Sequence, residues 1–198
     1  MSGLDGKVVA VVCRGSEADR AIAVALAEAG ANIALCTISK AQAEEFSTAS
    51  IANEVWAIGR DQFNVVTDAA DPADAASFAD EVCDRLQRCD AVVIAPGPTV
   101  FVDFDELSRD EWEPMATEGI TAPLVTAQAF SRVMERGGGG VVVLVDDGAL
   151  HTNVAGAVIS EALRSLAAHL GIAWHERSLR AVVVSREGAP ARVVETLS

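Results

Sequence analysis

Six short, mostly apolar runs, set apart by longer stretches of helical spacing, constrain the fold of this chain more than any other feature. Residues 7–13 read Lys-Val-Val-Ala-Val-Val-Cys, with no polar alternation, as in a strand covered on both faces. Residues 20–29 carry Ile22, Val24, Ala25 and Leu26 at helical spacing, and Gly30 stands where a helix exits. Residues 31–36 predict a second strand and 41–51 a second helix. Residues 54–58 and 63–66 are both short β-like runs, and one of them is the third strand. Asp71-Pro72 opens a helix running to about residue 88, with the proline in its first turn. Residues 90–95 predict the fourth strand, closed by Pro96-Gly97-Pro98. A long helix over 108–135 follows, with Pro114 near its start and Pro123 bending it. Beyond four consecutive glycines come a fifth strand at 141–145, an Ala-rich helix at 154–170 and a sixth strand at 179–184. The stretch 186–198 leaves little room for another full unit.

Strands alternating with helices through short loops predict an α/β fold: a doubly wound parallel sheet of about six strands with helices on both faces. The 198 residues are 51% apolar and contain no linker or repeat, which gives one domain over 1–198. In such sheets ligands bind beyond the carboxyl ends of the strands, where strand order reverses. The loops after Val12, Leu35, Ala95 and Val145 are therefore where chemistry is expected.

Charge excludes some partners. Lys and Arg total 15 against 29 Asp and Glu, a net charge of -14, which repels phosphate backbones and anionic membranes. No apolar run is long enough to span a bilayer, and Met1-Ser-Gly-Leu-Asp-Gly-Lys7 has no apolar core of a signal peptide. A cytoplasmic protein is the expectation. The four cysteines, Cys13, Cys36, Cys83 and Cys89, form no Cys-x-x-Cys pair and no zinc spacing, and no metal is expected. They read as buried free thiols, with Cys13 and Cys36 near the ends of two strands and potential neighbours.

Several stretches, in order, resemble the short-chain dehydrogenase/reductase family, whose fold is Rossmann-like. Leu4-Asp-Gly-Lys-Val-Val resembles its opening into the first strand, and residues 20–31 resemble its first helix and exit. Asp68-Ala-Ala-Asp71-Pro72 resembles the stretch after its third strand, with Asp68 where the family contacts adenine. Asp90-Ala-Val-Val-Ile-Ala-Pro-Gly97 is similar to the fourth strand and its "NAG" end, so Ala95 stands for the Asn and Gly97 for the Gly. Trp112 and Ala129-Phe130 fit the long fourth helix, and Glu161-Ala-Leu-Arg-Ser-Leu-Ala167 resembles the helix that carries the catalytic lysine. The resemblance covers almost the whole chain.

The family's functional motifs are altered. Its glycine-rich turn lets backbone approach a pyrophosphate at a helix N-terminus. Here the turn reads Cys13-Arg-Gly-Ser-Glu-Ala-Asp19, with Glu17 and Asp19 at glycine positions. A carboxylate about 5 Å from a phosphate charge, at an effective dielectric of about 20, costs about 3 kcal/mol before screening. Arg14 offsets part of this. The enoyl-reductase branch, with a glycine, five residues and then Ser-x-Ala, resembles Gly15 followed by Ala21-Ile22-Ala23. By resemblance the dinucleotide-facing residues are Arg14, Gly15, Ser16, Thr37, Asp68, Ala95 and Gly97. Thr37 replaces the acid that holds the ribose hydroxyls, which removes an NAD preference, and Lys40 and Arg14 are the nearby bases.

The family's reaction uses a tyrosine acidified by a lysine four residues on, with a serine and an asparagine completing the relay. A phenol of pKa about 10 needs that cation to work near neutrality. This chain has no tyrosine, and its last lysine is Lys40. Gly156 aligns with the tyrosine, Ser160 with the lysine, Asp147 with the serine and Gly119 with the asparagine. The substrate region past the sixth strand reads as truncated, since the sequence ends at Ser198. No catalytic residue is therefore assigned. Asp146, Asp147, His151 and Ser160 offer an Asp–His–Ser relay, set against a solvated turn at Asp146-Asp147-Gly148. His169 and His175 read as surface residues.

Small residues on the 154–170 helix let another helix approach closely. The resemblance implies a dimer through the helices near 110–136 and 154–170, with itself or with an active paralogue; the alternative is that these residues pack on the sheet. The expectation is a protein without dehydrogenase activity of its own, a non-catalytic or structural subunit holding no cofactor. The alternatives are an NAD(P)-dependent short-chain oxidoreductase with a divergent site, or a dinucleotide or metabolite sensor.

Overall fold

A computed structural model describes residues 3–97, 102–147 and 154–198. Six strands form one sheet: β1 (Val8–Cys13), β2 (Asn32–Thr37), β3 (Gln62–Val65), β4 (Ala91–Ala95), β5 (Gly140–Asp146) and β6 (Leu179–Ser185). Their order is β3-β2-β1-β4-β5-β6, and every pairing is parallel. The uninterrupted apolar run of β1 has a direct cause. Val8, Ala10 and Val12 enter one core while Val9, Val11 and Cys13 enter the other, so neither face of β1 meets water.

Helices α1 (Glu17–Glu28), α2 (Gln42–Ala57) and α7 (Ala189–Leu197) cover one face. Helices α3 (Pro72–Leu86), α5 (Ala122–Arg136) and α6 (Val154–Ala173) cover the other. There Phe130 is fully buried and meets Phe78 edge-on at 5.6 Å, and Phe78 meets Phe63 likewise at 6.2 Å. Each such ring removed from water contributes about 1.5–3 kcal/mol. Asp71 caps α3 through the N–H groups of Ala73 and Asp74, with Pro72 in its first turn.

The chain departs from its sequence reading in three places. Residues 54–58 belong to the end of α2, so β3 is the later of the two β-like runs. The stretch expected to have no room for another unit forms α7, whose Ala189, Val193 and Leu197 are buried against the α1 face. Its last carbonyls are held by cations: Lys7 Nζ contacts Leu197 O, and Arg180 Nη2 donates to Thr196 O at 2.7 Å. The long helix expected over 108–135 is α4 (Arg109–Ala116) and α5 joined by a π turn, Thr117–Thr121. Pro123 has no N–H to give to Gly119 four residues back and its ring crowds that carbonyl, so the ladder widens there.

Cys13 and Cys36 lie on neighbouring strands but on opposite faces of the sheet, and both are free. Burial pushes the thiols of Cys13, Cys36 and Cys89 well above their ordinary value of 9.0. A thiol held neutral in the fold but free to ionise when unfolded supports the native state fully below the unfolded pKa. That support is lost as pH rises above it. The urea midpoint is therefore expected to fall steadily from about pH 9 upward, and less steeply in a Cys13→Ala, Cys36→Ala variant. No phenol confuses the measurement, since the chain has no tyrosine. A flat midpoint to about pH 10.5 runs against buried thiols.

Candidate functional site

Strand order reverses between β1 and β4, which opens a crevice at their carboxyl ends. The turn from β1 into α1 forms one wall. Ser16 caps α1: its hydroxyl accepts from the Asp19 N–H at 3.3 Å, and its own N–H donates to Asp19 Oδ2 at 3.0 Å. Asp19 is fully buried, and its other oxygen accepts from Arg186 Nη1 at 2.9 Å. Arg186, just beyond β6, also pairs through Nε with Asp147, just beyond β5. One guanidinium thus ties the start of α1 to the ends of β5 and β6.

This corrects the expected repulsion at the turn. Asp19 faces the interior and is matched by Arg186, while Glu17 is exposed and pairs with Arg20 at 2.7 Å, which also binds Glu54. A negative ligand in the crevice meets neither acid as an unpaired charge.

Arg14 lies across the crevice instead. Its Nε donates to Pro96 O at 2.8 Å, its Nη2 contacts Glu118 of the π turn, and its Nη1 stands 4.0 Å from Glu44 of α2. Gly97, at φ +92°, leaves room for the arginine stem, because a Cβ there falls 2.8 Å from Arg14 Cδ. Gly15, at φ +78°, is needed for a different closeness: a Cβ falls 2.4 Å from Ser47 Cβ on α2.

The other expected cofactor residues divide. Asp68 lines a cavity of about 550 Å³ with Ile38, Ser39, Ala70 and Thr117, and its Oδ1 accepts from the Ala70 N–H at 3.0 Å. Ala95 is buried at the end of β4, facing no ligand with its methyl. Thr37 is occupied by a structural contact. It is fully buried, its hydroxyl donating to Thr67 O and accepting from Thr67 N–H, both at 2.9 Å, which ties the end of β2 to the exit of β3.

The positions aligned with the family's relay take part in packing and hydrogen bonding. Gly119 sits on the π turn, where a Cβ falls 2.8 Å from Ile159 Cγ2, so it lets α6 approach. Gly156 is buried on α6. Ser160, 2% exposed, donates to the buried Asp146 carboxylate at 2.7 Å, which also receives Arg164 Nη2 at 2.8 Å. Asp147 is engaged by Arg186. Ser160 thus meets Asp146 and Asp147 meets Arg186, while His151, the third member of the Asp–His–Ser relay, lies outside the described residues. Among the described residues no cluster of three or more His, Cys, Asp or Glu is placed to hold a metal, and no helix is long and apolar enough to cross a membrane.

Glu118 and Arg186 were the residues sequence reasoning missed. Each pairs with a partner distant along the chain. The available hint for Arg186 was a base just past a strand end in a chain whose first helix opens with acids.

A second cavity, of about 310 Å³, is lined by Arg14, Pro96, Gly97, Met115, Gly119 and Ile159 among others. The short chain dehydrogenase family model matches residues 7–162. D-threitol dehydrogenase of Mycolicibacterium smegmatis is 28% identical over 186 residues, 92% of this chain and 70% of that protein. 2,3-Dihydro-2,3-dihydroxybenzoate dehydrogenase of Escherichia coli is 30% identical over 149 residues, 71% of this chain but only 60% of its own length. The structure of carveol dehydrogenase from Mycobacterium avium in complex with NAD superposes with a TM-score of 0.83 at 21% identity, covering 92% of this chain and 72% of that one. At that identity the likeness shows the fold.

Proposed function

The chain belongs to the short chain dehydrogenase family, and from that premise we propose that it is an NAD(P)-dependent short-chain oxidoreductase with a divergent site. The observation that carries this reading is the Arg14 guanidinium, hydrogen-bonded to Pro96 O at the sheet's reversal point, lining one cavity and paired with Glu118, which lines both. A dinucleotide needs a cation or backbone donors for its pyrophosphate and flatter pockets on either side. Arg14 supplies the first, with Asp19 and Glu17 already paired elsewhere. The Asp68 cavity suits an adenine, and the Ile159 cavity a reacting group. The nicotinamide, when bound, supplies the hydride chemistry. The chain's own part is to orient the dinucleotide through Arg14 and to exclude water with Met115 and Ile159. Fit is poorer at the ribose, because Thr37 is already used by Thr67. This reading replaces the expectation of a protein that holds no cofactor.

One observation favours a second reading. The chain has no tyrosine, so a proton relay built on a phenol cannot operate in it. A non-catalytic subunit, paired with itself or with an active paralogue through α4, α5 and α6, is the reading which that absence favours. The exposed Leu124, Val154 and Val158 on α5 and α6 suit such a contact.

Thermal-shift and calorimetric titration with NADH and NADPH tests the first reading. At about 100 times Kd, a bound dinucleotide adds about 2.7 kcal/mol of stability, which is a clear rise in Tm. Millimolar dinucleotide without a shift removes the oxidoreductase reading. A shift without turnover on any short polyol or alcohol points to the subunit or sensor form.

A further inference from the structure

Glu118 and Pro114 line both cavities of the crevice, and Arg14 lines the smaller one. The Arg14–Glu118 pair therefore stands on the wall between a space of about 310 Å³ and one of about 550 Å³. Neither side chain is sealed in, at 37% exposed for Arg14 and 24% for Glu118, so solvent and ligand reach the contact. The attachment of Arg14 to the backbone is separate, through Nε to Pro96 O at 2.8 Å. The guanidinium edge that meets Glu118 can thus change partner while the arginine keeps its place. Glu118 itself sits on the π turn, where helical hydrogen bonding is already interrupted.

We propose that the Glu118 carboxylate is an internal stand-in for a phosphate group: it holds Arg14 across the crevice until a phosphate-bearing ligand takes the guanidinium from it and the two cavities join. Carboxylate and phosphate present similar paired oxygens to the guanidinium fork, so one replaces the other without rebuilding the site. In a chain of net charge -14, a cation kept beside two acids, Glu118 and Glu44, holds ligands bearing no phosphate to weaker binding and leaves phosphate as the group that competes. The inference rests on the dinucleotide reading above and adds the contact that selects the ligand.

The test is calorimetric titration of the whole chain with NADH, ADP and adenosine, on the wild type, Glu118→Gln, Arg14→Gln, the double variant and Glu113→Gln. Glu113 lines the larger cavity and pairs with Arg109, so its variant removes the same charge without touching Arg14. Glu118→Gln is expected to bind NADH and ADP about fivefold tighter, the scale of a partly exposed ion pair, with adenosine unchanged. Arg14→Gln weakens both phosphate ligands, and the double variant loses the gain. If the gain survives in the Arg14→Gln background, or Glu113→Gln matches it, the effect is the general field and the stand-in is wrong. If the wild type binds NADH but Glu118→Gln binds no tighter, the stand-in falls and the dinucleotide reading remains. If NADH and ADP bind to no folded variant, as judged by an unchanged Tm without ligand, both fall.

Discussion

Replacing Arg186 with methionine is expected to lower the unfolding free energy by about 3–5 kcal/mol, the range for breaking a buried ion pair on one side only. Arg186 is 14% exposed and Asp19 is not exposed at all. Methionine keeps most of the stem's volume, so packing changes little. What changes is that Asp19 loses its cation and keeps the Ser16 N–H at 3.0 Å, and Asp147 loses its cation too. A carboxylate left unmatched in the interior costs far more than an exposed pair contributes. The backbone N–H of Arg186, which donates to Asp146 O at 2.7 Å, is untouched by the change. Urea denaturation at neutral pH measures the loss. Adding Asp19→Asn to the same variant is expected to recover a large part of it, because the buried charge goes with its partner. A loss under about 1 kcal/mol means that the knot is hydrated and behaves like a surface pair.

Gly15→Ala carries the second large effect. Its φ of +78° is left-handed backbone, which costs an alanine about 1–2 kcal/mol. The new Cβ also meets Ser47 Cβ at 2.4 Å and the backbone of Ser47 and Thr48 at 3.1 Å. Helix α2 must move or the turn must distort, adding about 1–3 kcal/mol of overpacking. Gly6→Ala separates the two contributions, since Gly6 has φ +74° and nothing within 4 Å. The Gly6 variant should lose only the conformational part. Equal losses in the two variants would falsify the close contact with α2. Gly15→Ala also shifts Arg14, the next residue, so it is expected to weaken NADH binding, whereas Gly6→Ala leaves binding alone.

These two residues show what the sequence discloses and what it withholds. The sheet was legible because its central strands β1 and β4 are buried on both faces, which writes an unbroken apolar run, and β2, β5 and β6 remain mostly apolar. The start of α3 and the exit of α1 were legible because Asp71 and Gly30 act on backbone within a few residues, whereas the Ser16 cap of α1 was not read. Residues 54–58 were ambiguous because a short apolar run has no period that separates strand from helix. Helix α7 was missed for its shortness, although Ala189, Val193 and Leu197 repeat every four residues. At the site, the acids of the first turn were visible but their direction was not. Asp19 finds its cation 167 positions away, and Arg14 meets a residue 104 positions on; neither pairing leaves a local trace. The glycine at position 15 was read for phosphate approach, and its close contact is with a helix.

The π turn divides one long rim helix into unequal halves. No residue of α4 is buried, while nine residues of α5 are. Drift in the outer half therefore disturbs the interior less than drift in the inner half, through Trp112 and Met115 alone of its large apolar residues, and Pro114 and Met115 there border the crevice. A lineage carrying this π turn can retune which molecules enter by altering a segment that gives the interior no fully buried residue.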